Sequence, residues 1–103
     1  MKNNFSEETR ALFIFRYDCD ICGSNKNLEL HHIKGRVSDS PCNASLLCHN
    51  CHYKHHNKKP FTEEQKKQML QKTFKWLCKI DYKFTRKDGE FFLKHKKYYS
   101  EFI

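Results

Sequence analysis

Two Cys-x-x-Cys pairs, Cys19/Cys22 and Cys48/Cys51, separated by twenty-five residues, constrain this chain more than any other feature. Tetrahedral zinc takes four soft ligands, and two such knuckles supply four thiolates from opposite sides. A closed four-cysteine site leaves no position for water, so its role is structural. In a chain this short the metal's binding energy is also folding energy. Disulfides, redox pairs and free buried thiols are the competing readings. The apolar run 11–15 is flanked by Glu7, Glu8, Arg10 and Arg16 and is too short for a secretory core. No stretch approaches the roughly 20 apolar residues of a membrane span. The expected location is therefore the cytoplasm, where disulfides are rare and paired cysteines bind metal. Cys42 and Cys78, outside the pairs, are expected to be ordinary buried or semi-buried residues.

The 103 residues suit one domain spanning 1–103. A chain of that length builds a limited core, which fits the need for a metal staple. Its mean hydropathy is −0.92, but fifteen aromatic residues can still form a packed interior. The net charge of +8 is unevenly placed: residues 1–53 are neutral, while 54–97 carry fourteen Lys/Arg against five Asp/Glu. A basic half beside a neutral half reads as a footprint for a polyanion, or else as a solvated lysine-rich helical face.

Ser6 is placed to cap a first helix reaching about Tyr17, with Glu7 and Glu8 in its first turn. The first knuckle follows, then a short strand over 28–33, a loop over 34–43 rich in turn residues, and a second strand or turn over 44–47. The second knuckle opens a helix running to about Asn57. Thr62 with Gln65 forms a capping box, and Met69, Leu70, Phe74, Leu77 and Cys78 recur at helical spacing to about Ile80. Asp88-Gly89 reads either as a hairpin turn or as a break between two helices. The fold class is α+β: a small hairpin packed on a helix, with an N-terminal helix and a C-terminal helical extension over 60–103.

A second constellation lies between and after the knuckles: His31-His32, Asn43, His52 and His56. His52 and His56 stand at i and i+4 on one helix face, a spacing that can place two imidazoles on one metal. If a single zinc clamps both knuckles, strand and helix are neighbours and the histidines can converge. Chance clustering and an extended zinc-binding tract are the alternatives, and His55 rivals His56.

Cys19-x-x-Cys22-Gly23, then Leu28-Glu29-Leu30-His31-His32-Ile33, then Ser40-Pro41-Cys42-Asn43, then Leu46-Leu47-Cys48-His49-Asn50-Cys51-His52, then His56, resembles the HNH endonuclease motif in its zinc-knuckle form. The resemblance covers residues 17–57. It implies a ββα-metal unit in which His32 is the general base. It also implies that Asn43 braces the hairpin loop and that His31, His52 and His56 hold a catalytic divalent metal. Many relatives carry Asp where His31 stands, and the His-His form is similar to that of the bacterial colicin nucleases. The implied substrate is DNA, expected to be double-stranded and cut by a monomer or homodimer. A phage or mobile-element origin is implied at family level. The noncatalytic alternative is a zinc-stabilised module that only binds nucleic acid.

Three imidazoles without a carboxylate suit Mn²⁺, Ni²⁺ or Zn²⁺ better than Mg²⁺, which prefers hard oxygen ligands. Adjacent strand residues point to opposite faces, so His31 and His32 reach one site only if the strand twists or ends there. Outside the motif, Lys66, Lys67, Lys72, Lys75 and Lys79 on the long helix, with Lys83, Arg86 and Lys87 beyond it, are expected to meet DNA phosphates. Phe74, Trp76 and the aromatic tail are expected in the core rather than as base-stacking groups.

Overall fold

The computed structural model describes residues 5–35, 38–57 and 59–100, without the side chains of 56 and 57. It is a small α+β domain. Helix α1 (Glu7–Ala11) leads into the first knuckle, strands β1 (Leu28–His32) and β2 (Ala44–Cys48) form an antiparallel hairpin, and helices α2 (His49–Asn57), α3 (Glu63–Lys79) and α4 (Arg86–Lys94) follow. Among the described residues no helix is long and apolar enough to cross a membrane.

The hairpin register places Leu28 opposite Cys48 and His32 opposite Ala44. Ile33 N–H donates to the Asn43 carbonyl at 2.8 Å, continuing the ladder one residue past β1. A single 3₁₀ turn, Pro41–Asn43, returns the chain into β2. Its start is capped by Ser40, whose hydroxyl accepts from Cys42 N–H at 3.0 Å. β2 is buried along its whole length because three elements cover it: β1 at one edge, the knuckle at the other through Asp20 N–H to the Leu46 carbonyl at 2.8 Å, and α3 across it.

α3 begins at the expected capping box, with Thr62 Oγ1 accepting from Gln65 N–H and the Gln65 side chain accepting from Thr62 N–H. Met69, Leu70, Thr73 and Leu77 form its buried stripe, and Thr73 Oγ1 donates to the Ala44 carbonyl at 2.6 Å. The core joins that stripe to Cys19, Ile33, Cys42, Leu47, Cys48, Phe91, Tyr98 and Tyr99, so the first cysteine of each knuckle sits inside the same apolar interior as the C-terminal helices. A smaller cluster of Phe5, Phe13 and Ala44 lies under α1.

Three expectations are corrected. The first helix stops at Ala11, not near Tyr17, and residues 12–16 continue as tight turns in which Phe13 and Arg16 N–H groups bond carbonyls three residues back. The reason is packing: Phe13 enters the small cluster one turn after buried Thr9, but Tyr17, the next residue on that face, is exposed with Ile14 and Phe15, so a further helical turn would bury no apolar stripe. Asp88-Gly89 is neither a turn nor a break, because α4 runs through both. Thr85 caps that helix, and Asp88 is its N3 partner in a second capping box. Cys78 is exposed, since Leu77 takes the inward position of that helical turn, whereas Cys42 is buried as expected. Burial pushes the Cys42 thiol up to about 12, which keeps it protonated and inert.

Candidate metal centre and histidine site

The first knuckle is a tight turn: Cys19 N–H donates to the Ser24 carbonyl at 2.8 Å and Gly23 N–H to the Cys19 carbonyl at 3.0 Å. Gly23 makes the turn at φ +80°, where a side chain would be strained. In each knuckle main-chain N–H groups point at the first sulfur: Ile21 and Cys22 N–H at Cys19 Sγ (3.4 and 3.5 Å), and Cys51 N–H at Cys48 Sγ (3.4 Å). The four sulfurs of Cys19, Cys22, Cys48 and Cys51 lie within 4.8 Å of one another, and Cys22 Sγ is 3.6 Å from Cys48 Sγ. Four ligands at a Zn–S distance of about 2.3 Å stand roughly 3.8 Å apart, so the cluster is compatible with a structural zinc.

The electrostatics of the quartet point the same way. Burial acts to raise the Cys19 thiol, but the N–H donors of Cys22, Cys48 and Ile21 outweigh it and bring it down to about 7. Cys48 and Cys51 are pushed up, by burial first and then by the neighbouring sulfurs. Four thiolates cannot be held this close without a cation between them. Among the described residues this is the one group of three or more His, Cys, Asp or Glu arranged to hold a metal.

The hairpin brings His31 onto α2. Its ring centroid lies 5.0 Å from that of His52 in an edge-on contact and 5.2 Å from Phe61. His52 Nδ1 pairs with Glu29 Oε1 at 2.6 Å, and His49 Nδ1 with Glu29 Oε2 at 2.9 Å. Burial acts to raise the Glu29 carboxyl, but the hydrogen bonds from His52 and His49 hold it below its ordinary value. His55, the rival to His56, stacks on Phe61 at 4.1 Å and its Nδ1 pairs with the Lys59 carbonyl at 2.8 Å. His56 lies on α2, but its side chain lies outside the described residues.

His32 goes elsewhere, as strand alternation dictates. Its ring stacks on Phe5 at 3.9 Å with 14° between planes, and its Nε2 is 3.1 Å from Asp39 Oδ1. The loop that carries Asp39 is held by Asn43, which is fully buried. Asn43 Oδ1 accepts from Lys34 N–H at 2.8 Å, and its Nδ2 donates to the Gly35 and Ser38 carbonyls at 2.9 and 2.8 Å. Thus His31 and His52 come together, while His32 stands apart under Phe5, against the loop that Asn43 braces.

Glu29 and Arg10 escaped the sequence reading. Both line a hollow of about 460 Å³ with Phe5, Phe13, Leu30 and His52. The alternating strand pattern carried a signal for Glu29, since it shares the His31 face at i+2; Arg10 arrives by tertiary packing and had none.

The basic residues stand in several local settings. Lys72, Lys75 and Lys79 line a groove with Trp76. Lys66 pairs with Glu63 at 3.7 Å, Arg86 with Glu90 at 3.8 Å, and Lys87 borders a separate hollow beside Ser38 and His95. The remaining pair, Lys67 and Lys83, lines neither recess.

Comparison with known proteins finds no match: no family model, no curated protein and no solved structure matches this chain.

Proposed function

We propose that this protein is a metal-dependent endonuclease of the HNH type, acting on DNA, with its hairpin and helix held by a structural zinc on Cys19, Cys22, Cys48 and Cys51. The observation that carries the reading is the contact of His31 on β1 with His52 on α2, in a hairpin whose loop is braced by a buried Asn43. The contact supports the reading because the resemblance implies histidines shared between a strand and the following helix. The carboxylate of Glu29 on His52 Nδ1 would fix the tautomer in which Nε2 is the ligand atom, as outer-sphere carboxylates do for ligating histidines. His31, His52 and His56 would hold a divalent ion, which on binding would neutralise charge on the scissile phosphate and stabilise the departing oxygen.

In this reading the phosphate sits between His31 and His32 at the end of β1, and His32 takes the proton from the attacking water at Nδ1, since Nε2 faces Asp39. The Asp39 carboxylate orients the ring. General-base help is worth roughly 10²–10⁴-fold. Phe5 lies flat on that ring, so the N-terminal segment has to give way for a phosphate to arrive. The same stacking favours a second reading, a zinc-held module that binds nucleic acid without cutting it.

Cleavage of supercoiled plasmid with Mn²⁺, Ni²⁺, Zn²⁺ or Mg²⁺ separates the two. Wild type is expected to nick with a transition metal, and folded His32→Ala to lose about 10²-fold or more of that rate. DNA binding without cutting under every metal, across mixed-sequence substrates, sinks the nuclease reading.

A further inference from the structure

The turns after α1 leave two aromatic residues in water. Phe15 is 73% exposed and Tyr17 is 64% exposed, although the chain has apolar clusters within reach of its neighbours Leu12 and Phe13. Both border a groove of about 390 Å³ whose other wall is α3, contributing Lys72, Lys75, Trp76 and Lys79. These four recur at helical spacing, so one face of α3 presents three ammonium groups and an indole to the two rings. The floor is rigid. Arg16 bonds Asp20 at 2.5 Å and Asp18 at 3.1 Å and sits over the Trp76 ring at 5.8 Å, while Trp76 Nε1 donates to the Leu12 carbonyl at 2.8 Å. Lys72 Nζ donates to the Asp20 carbonyl at 2.8 Å, which uses one of its three protons.

We propose that this groove binds single-stranded DNA, with unpaired bases stacked on Phe15 and Tyr17 and the phosphates along Lys72, Lys75 and Lys79. Ring faces flanked by a row of cations are what a single strand needs, because every base offers a π-face and every linkage an anion. In a duplex the bases are already stacked on each other and the two rings gain nothing. Arg16 engages only one oxygen of Asp18, the one carboxylate of the lining; ring faces and ammonium groups read bases and phosphates, which DNA and RNA share, so the oligouridylate arm below separates the two sugars. A membrane surface fits less well: α1 is only five residues long, and the rings border a concavity rather than a helix face. This inference stands apart from the nuclease reading, since it needs neither His32 nor a catalytic ion.

The test is anisotropy of labelled oligothymidylate with the zinc-loaded full chain and no other divalent ion, read beside the fluorescence of Trp76, the one tryptophan of the chain. Phe15→Ala with Tyr17→Ala is expected to weaken binding about tenfold or more per lost stack, and Tyr17→Phe to restore its share. Binding to a duplex of equal length stays as in wild type. Lys75→Gln and Lys79→Gln each lower the salt slope by about 0.7. Both aromatic side chains are exposed, so the variants keep their fold, which circular dichroism checks. The proposal is overturned if the double variant binds oligothymidylate as wild type does. It is also overturned if oligouridylate binds more tightly, or if the two rings act instead in capture by anionic vesicles or in self-association. A chain that binds the oligonucleotide through the groove yet cuts no DNA fails the nuclease reading alone.

Discussion

Asn43 concentrates more consequence than any other single side chain of the hairpin. It is fully buried and satisfies one N–H and two carbonyls of the loop between the strands. Asn43→Ala leaves those three groups without partners, and at 1–3 kcal/mol for each buried unsatisfied group the loss should reach about 3 kcal/mol after partial rehydration. Denaturant midpoints of the zinc-loaded protein check this. Glu29 is the contrasting case. Its side chain is 40% exposed, so its two histidine pairs should add under about 1 kcal/mol to stability. If His52 ligates a metal, however, Glu29→Gln should weaken metal affinity by about 10–100-fold, because an outer-sphere partner is lost. Metal titration of the folded variant reads that out, and an unchanged affinity removes Glu29 from the site. The histidines themselves were legible from spacing. Their separation into a His31–His52 contact and a His32–Phe5 stack was half legible: alternation foretold that the two would part, but Phe5 comes from a distant segment and no local pattern announces it.

α4 shows at the element scale why one segment misled. Asp-Gly is a strong turn signal locally, yet here Asp88 is a buried N3 residue whose carboxylate accepts from Ser40 Oγ (2.5 Å), Tyr82 OH (2.5 Å) and Thr85 N–H (2.8 Å). Those partners pin α4 to the 3₁₀ turn that leads into Asn43, a contact 48 residues apart in sequence. Burial acts to raise the Asp88 carboxyl, but the bonds from Ser40, Thr85 and Tyr82 win and hold it below its ordinary value. A depressed carboxylate contributes stability that is fully present above the unfolded value of about 3.9 and disappears as pH falls through the lower folded value. Asp88→Asn should therefore flatten the acid limb of the stability curve and lower stability at neutral pH, as thermal melts across that range would reveal. Gly89 makes the opposite prediction. It lies inside the helix with nothing within 4 Å of where a Cβ would stand. Gly89→Ala should raise stability by about 1 kcal/mol through helix propensity alone. By contrast, the Thr62–Gln65 box and the two strands were readable because their signals are local, and tertiary packing agrees with them.

Across the whole molecule the quartet of sulfurs ties the parts together. It fastens the first knuckle to the end of β2 and the start of α2, and Cys19 and Cys48 are also members of the core that α3 and α4 complete. Removing the metal would leave four sulfurs within 4.8 Å of one another, with the Cys48 and Cys51 thiols pushed up by burial and by the neighbouring sulfurs, so the knuckles lose their reason to meet. The hairpin then loses one edge and α2 its anchor, and the core of a 103-residue domain is small. Chelation should accordingly abolish most helical circular dichroism in one cooperative step, with one zinc released per chain by elemental analysis. Because ligands must shed protons to bind, the metal should also be lost on acidification, and the chain should unfold as it goes. Cys48→Ser tests the same link without a chelator: one ligand fewer, in the buried half of the quartet, should leave the chain unfolded at any attainable zinc concentration. A folded, metal-free Cys48→Ser protein would show that the apolar core alone suffices and that the cysteines serve some other end.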